Sequence, residues 1–262
     1  MAKLSEIGGK RLPFLRWSVW RMAFGGRHLL RHWQVGDGRE EALAAYVLAN
    51  SPPGDLDAAI AAVDEFCYQR SVMMNVGDEK GALLDAAVRR TRPGLLLELG
   101  AYCGYSALRM ARTMPPEAKL HSVEFVAANA AIAGRIWDHA GVAGRVSAVV
   151  GSLGDGGATA DRLEKECGFG PGALDFVFVD HDKAAYLPDL ALILDRGWLH
   201  RGSVVVADNV RVPGAPKYRA YMRETEGHTW RTVEHRTHVE YQTLIPDLVL
   251  ESEFLGPTTS ES

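Results

Sequence analysis

Two short stretches of this chain put carboxylates where a hard metal ion and a proton acceptor could work side by side. Asp180-His-Asp-Lys183 follows the apolar run Leu174–Val179, and Asp208-Asn209 follows Ser203–Ala207. If both runs are parallel strands, their carboxyl ends share one edge of a sheet, where ligands gather. Asp180, Asp208 and Asn209 then supply three oxygen ligands, a set that suits Mg²⁺, or Mn²⁺ in its place, better than zinc or copper. Positions left open on such an ion accept two adjacent oxygens of a substrate. A chelated hydroxyl loses its proton more easily, and Lys183 can take it if nearby positive charge depresses its own pKa. The resulting oxyanion attacks an electrophilic methyl group, and a dry pocket lowers the barrier chiefly by orientation. Glu240, in Thr237-His-Val-Glu-Tyr241, is a candidate for the second hydroxyl, although spacing alone does not bring it into the site.

The donor end is read from Glu98-Leu-Gly-Ala-Tyr-Cys-Gly-Tyr-Ser106. Gly100 and Gly104 let the backbone turn tightly from a strand into a helix and approach a ligand closely. Glu124 closes the next apolar run, 26 residues beyond Glu98, and can accept both hydroxyls of a ribose. Nucleotide-binding folds in general share that pairing, so it does not choose a cofactor alone. The chain contains no G-x-G-x-x-G, the seat of a dinucleotide pyrophosphate. Glu98 would repel a phosphate but suits a cationic ligand without one, such as S-adenosylmethionine with its ammonium and sulfonium. His181 is a candidate neighbour for the adenine.

These residues need a scaffold. Leu95–Leu99, Lys119–Val123, Val146–Val150, Leu174–Val179 and Ser203–Ala207 read as short apolar strands, with helical stretches between them. That alternation predicts a doubly wound, mostly parallel sheet covered on both faces. Thr229–Val233 and Leu248–Phe254 are expected to add an antiparallel edge, making seven strands. Ahead of the sheet, Glu40–Leu48, Leu56–Gln69 and Asp78–Arg89 carry helical patterns, with Asp55 as N-cap of the second. The spacing places a helical arm at Leu12–Trp33 as well.

A hydrophobic fraction of 47% and a charged fraction of 24% suit one folded α/β body, assigned to 39–256, between an arm at 1–38 and a tail at 257–262. Residues 1–35 hold seven Lys/Arg against Glu6, so against a whole-chain charge of −4 the remainder carries −10. So acidic a body excludes the wrapping of nucleic acid. The arm, with Phe14, Trp17, Trp20 and Phe24 among its arginines, suits an anionic membrane surface, a partner protein or packing on the fold itself. Cys67, Cys103 and Cys167 form no C-x-x-C pair, which argues for a reducing, cytoplasmic setting. No apolar run reaches the roughly 20 residues of a membrane span, and arginines interrupt the N-terminus where a signal peptide is continuous.

Taken together the blocks resemble catechol O-methyltransferase, from about Ala42 to Gly256. The matching stretches are Met74-Asn-Val-Gly-Asp-Glu-Lys-Gly81, Leu97 to Ser106, Asp180 to Lys183, Tyr186-Leu-Pro-Asp189, Ala207-Asp-Asn-Val210 and Val239-Glu-Tyr241. The resemblance implies a class I methyltransferase fold that uses S-adenosylmethionine and Mg²⁺ to methylate one hydroxyl of a catechol or related vicinal diol. It implies Asp180, Asp208 and Asn209 as metal ligands, Lys183 as general base and Glu240 as the partner of the non-reacting hydroxyl. Substrate contacts then fall to Lys183, Asn209, Pro213 and Glu240, with Pro213 at the mouth. Val76, Glu98, Gly100, Tyr102, Ser106, Glu124, Phe125, Ser152, Asp180 and His181 make up the cofactor site, with Met74 near the transferred methyl. Two positions depart from the animal members, which carry tryptophan where this chain has Val72 and Asp182. Losing both rings opens the pocket and adds a carboxylate, which points to a larger or cationic diol. Leu153 and Gly154 likewise alter the family's polar adenine contacts. Competing expectations are a metal-dependent methyltransferase of caffeoyl-thioester type, a Rossmann oxidoreductase, and a methyltransferase-like protein whose role is interaction.

Overall fold

Every strand that the apolar runs predict is present in the computed structural model, which describes residues 37–256. The expectations for the basic arm and for the tail at 257–262 lie outside the described residues. Strands β1 (Leu95–Leu99), β2 (Lys119–Glu124), β3 (Val146–Val150), β4 (Leu174–Val179) and β5 (Leu199–Ala207) run parallel. Strands β6 (Trp230–His238) and β7 (Pro246–Phe254) form the antiparallel edge, and the order across the sheet is β3-β2-β1-β4-β5-β7-β6. The chain winds outward from β1 to β3, then crosses back to lay β4 on the other side of β1. That reversal opens a crevice at the carboxyl ends of β1 and β4, the usual ligand position in such sheets.

Helices α1 (Arg39–Asn50), α2 (Leu56–Gln69), α3 (Gly77–Thr91), α4 (Tyr105–Thr113) and α5 (Ala127–His139) contribute to one core. Helices α6 (Ala158–Cys167), α7 (Tyr186–Asp195) and α8 (Pro216–Glu224) contribute to a second. Side chains alternate along each strand, so Leu96, Phe176 and Phe178 join the first core while Leu97, Val177 and Val179 join the second. Asp55 caps α2 as expected, accepting the Ala58 N–H at 2.9 Å.

Strand β6 is longer than its apolar run announced, extending to His238 rather than ending at Val233. Most of its residues are exposed or half-buried, so its pairing with β7, from Trp230 against Phe254 to His238 against Pro246, leaves no continuous apolar signal. Its extension carries the chain to Glu240. Among the described residues no helix is long and apolar enough to cross a membrane.

Candidate active site

At the donor end two glutamates fasten the glycine turn. Glu98 has no exposed surface, and its carboxylate accepts the hydroxyls of Ser106 and Ser122. Burial pushes its pKa up to about 7 against the pull of those two serines. It therefore acts from beneath the turn, holding Ser106 at the start of α4, rather than as an open counter-charge. Glu124 accepts the N–H of Tyr102 and the N–H of Val126, both at 2.8 Å, which ties the turn to the start of α5. Tyr102 adopts a left-handed backbone, φ 46°, and its hydroxyl donates to Glu40 of α1 at 2.8 Å. Ser152 is half-buried, Val76 buried and Phe125 53% exposed at the end of β2.

Gly100 joins the donor end to the chemical end. A Cβ placed there would lie 2.5 Å from the carbonyl oxygen of Asp180 and 3.1 Å from Cα of His181. The ends of β1 and β4 meet this closely only because residue 100 has no side chain, and its φ of 100° is one that L-residues avoid.

At the chemical end the expected residues come together. The Lys183 ammonium donates to Asp180 Oδ1 at 2.8 Å and to the Tyr186 hydroxyl at 2.6 Å, leaving one donor position for a substrate oxygen. Asn209, also left-handed at φ 53°, donates from Nδ2 to Glu240 Oε1 at 3.0 Å, so Glu240 does reach the strand ends from the β6–β7 connection. Pro213 is exposed in the turn Val210–Gly214 just beyond Asn209, and Met74 is half-buried ahead of α3. His181 gives Nε2 to Asp189 at 2.8 Å and stacks on Tyr186, while its Nδ1 is buried without a partner.

The donor set fits a hard divalent cation. Asp208 Oδ2 is fully buried without a partner, although Oδ1 accepts the Asn209 N–H at 2.6 Å. Burial pushes the Asp208 pKa up to about 7; Lys80 opposes this, while Asp180 and Glu240 add to it. Asn209 spends Nδ2 on Glu240 and on Asp247, at 3.0 and 2.8 Å, which leaves its amide oxygen for other use. Two lysines, Lys80 and Lys183, face four carboxylates, Asp180, Asp208, Glu240 and Asp247, a deficit of two positive charges. Among the described residues no group of three or more His, Cys, Asp or Glu side chains is arranged around a metal position. An ion at this edge would rest on two carboxylates and one amide oxygen.

Three members of the site were not singled out from the sequence. Lys80 is 1% exposed and its Nζ lies 2.8 Å from Asp208, 2.5 Å from Glu240 and 3.2 Å from Asp247. Asp247 sits in β7 with its carboxylate fully engaged by Lys80, Asn209 and the Val212 N–H. Tyr186 accepts from Lys183 and donates to the Asp208 carbonyl at 2.9 Å. Lys80 and Tyr186 both lie inside the stretches that carry the resemblance.

A family model described as O-methyltransferase matches residues 54–219. The chain belongs to the O-methyltransferase family. That membership bears out the enzyme class expected from the sequence. A probable O-methyltransferase of Mycobacterium tuberculosis is 64% identical over 235 residues, covering 90% of this chain and 100% of the relative. Mouse catechol O-methyltransferase is 38% identical over 226 residues, covering 86% and 82%. Among solved structures, the O-methyltransferase TomG of Streptomyces achromogenes in complex with S-adenosylmethionine superposes with a TM-score of 0.61. It is 23% identical and covers 75% of this chain and 89% of its own, a likeness of fold.

Proposed function

We propose that this O-methyltransferase moves the methyl group of S-adenosylmethionine to one hydroxyl of a catechol or related vicinal diol, with a divalent ion assisting. The observation that carries the reading is the convergence of Lys183, Asp180, Asp208, Asn209 and Glu240 at one sheet edge, linked by the Lys183–Asp180 and Asn209–Glu240 hydrogen bonds. Asp180, Asp208 and the amide oxygen of Asn209 would hold a Mg²⁺ ion, which would supply Lewis-acid stabilisation for a hydroxyl that gives up its proton. Lys183 takes that proton at Nζ, and Asp180 and the Tyr186 hydroxyl keep the amine aimed. Glu240 has Oε1 engaged by Lys80 and Asn209 and offers Oε2 to the second hydroxyl. Glu124, tied to the turn through Tyr102, is the ribose acceptor, and Ser106, whose hydroxyl donates to Glu98, is a further member of the cofactor site.

At two positions where the resemblance implies tryptophan this chain has a smaller or acidic residue. Val72 is half-buried, its carbonyl held by Arg39 at 2.8 Å, and Asp182 is exposed, its side chain accepting the Ala184 N–H at 3.0 Å. A small aliphatic group and an acid at these positions favour a larger or cationic diol. The test is methyl transfer to catechol with Mg²⁺ and then with a chelator, in wild type and Lys183→Ala. Product that depends on the metal and vanishes in the variant supports the reading, and no transfer to any catechol despite cofactor binding ends it. Comparing dopamine-like amines with catechol carboxylic acids tests the charge argument, which fails if the amines are not preferred.

A further inference from the structure

Four carboxylates converge on this edge, yet only two are needed as metal ligands. Hard divalent ions take six or more oxygens, and any carboxylate within reach competes with water and substrate for those positions. A substrate that chelates through two oxygens needs some of those positions kept open. We infer that Lys80 is the positioning residue that does this: it holds Glu240 and Asp247 away from the ion and turns one oxygen of Asp208 toward it. The inference rests on the reading of the site as a divalent-ion, diol-binding centre.

The contacts of Lys80 sort the four acids. A lysine ammonium has three donors, and here they meet Asp208 Oδ1, Glu240 Oε1 and Asp247 Oδ2, one each on three carboxylates. Asn209 Nδ2 reinforces the diversion by binding the same oxygens of Glu240 and Asp247. The Val212 N–H donates to Asp247 Oδ1 at 3.0 Å, so both oxygens of Asp247 are already hydrogen-bonded within the protein. Asp208 is the exception, because its Oδ2 remains buried and bare. Lys80 is set in place by the first turns of α3, where Gly77 lies against Glu240: a Cβ on Gly77 would be 3.2 Å from that of Glu240. With almost no exposure, Lys80 cannot exchange these partners for water.

The test uses the full chain as wild type, Lys80→Met and Lys80→Arg, with Mn²⁺ as the probe in the absence of substrate. Electron paramagnetic resonance gives the Mn²⁺ affinity, and water-proton relaxation gives the number of fast-exchanging waters on the bound ion. Lys80→Met is expected to bind Mn²⁺ about tenfold more tightly, because one positive charge close to the ion is gone at an interior dielectric. It should also hold fewer exchanging waters, as the released carboxylates take their places. Lys80→Arg, which keeps the charge, should lie nearer to wild type in both. A purely structural role would instead weaken Mn²⁺ binding along with the fold.

Unchanged affinity and unchanged water number in Lys80→Met overturn the inference, and so does weaker Mn²⁺ binding in a variant that still binds S-adenosylhomocysteine normally. Should Lys80→Met fail to fold, Lys80→Gln is read by the same criteria. Wild type that binds Mn²⁺ but methylates no catechol ends the substrate reading and leaves the relaxation result to decide on Lys80. Wild type that binds no Mn²⁺ overturns both.

Discussion

The close approach of β1 to β4 makes Gly100→Ala a sharp test of how the two halves of the site are joined. The new Cβ would sit 2.5 Å from the Asp180 carbonyl oxygen and 2.8 Å from its carbon, where ordinary contact begins near 3.4 Å. The Asp180–His181 backbone must therefore retreat by about 1 Å, a misplacement that can cost about 100-fold in rate when it reaches the reacting groups. The positive φ adds about 1–2 kcal/mol for an L-residue and overpacking about 1–3 kcal/mol. The total, about 2–5 kcal/mol, corresponds in a domain of this size to a fall of roughly 4–20 °C in Tm. Gly134→Ala is the internal control. Gly134 lies inside α5 with nothing within 4 Å of a new Cβ, so its replacement should stabilise the protein by about 0.5–1 kcal/mol. Calorimetry on both variants, with steady-state kinetics and a cofactor titration, measures each expectation. A Gly100→Ala variant that loses neither Tm nor rate would refute the idea that contact at residue 100 sets the spacing of the site.

Three further outcomes follow from the same contacts. Tyr186→Phe keeps the ring on His181 but strips the hydroxyl from Lys183 and from the Asp208 carbonyl; we expect a stability loss of about 1–3 kcal/mol and a lower kcat with a displaced pH profile, at unchanged cofactor affinity. An unaltered pH profile would argue that Asp180 alone aims the amine. Val72→Trp supplies the ring that the resemblance implies at this position and should shift kcat/KM away from bulky diols toward plain catechol, read from a substrate panel. Asp64→Asn probes a buried acid that accepts the hydroxyls of Tyr105 and Tyr241 at 2.7 and 3.1 Å. Burial raises its pKa to about 6 from 3.8, so the folded protein holds the proton more tightly than the unfolded chain. Ionisation therefore costs stability above pH 6, and the cost disappears as pH falls from 6 toward 4. Denaturant unfolding should find the asparagine variant ahead by roughly 2–3 kcal/mol at pH 7.5 and level near pH 4; a gap independent of pH would contradict this.

The fold was legible because its signals are local. Leu95–Leu99 and Leu174–Val179 are buried on both faces, so apolar runs had to announce them, and Asp55 sits where an N-cap belongs. The polar half of β6, Glu234 to His238, gave no such sign, since all of it but Thr237 is exposed or half-buried and Glu234 pairs with Arg219 and Arg223 rather than packing inward. Its length is a consequence of β7, not of its own composition.

The site divides along the same line. Asp180, Lys183, Asp208 and Asn209 were legible because each follows an apolar strand directly, and strand ends of a parallel sheet are forced together. Lys80 lacks that signature: a lysine in the first turns of a helix, beside Asp78 and Glu79, reads as a solvated charge. Only the long return through β6 brings Glu240 back over α3, and only β7 supplies Asp247, 167 residues away in sequence. Tyr186 is hidden for a different reason, since an aromatic at the start of a helix fits core packing equally well, and it does pack there against Tyr218. What spacing reveals is the set of groups that an ion and a substrate would touch. The residues that hold those groups apart, or turn one oxygen rather than another toward the pocket, come from distant elements and emerge only once the sheet is closed. If Lys80 does decide which carboxylates an ion can reach, matching the strand-end ligands alone would not establish that two related sites hold their ions alike.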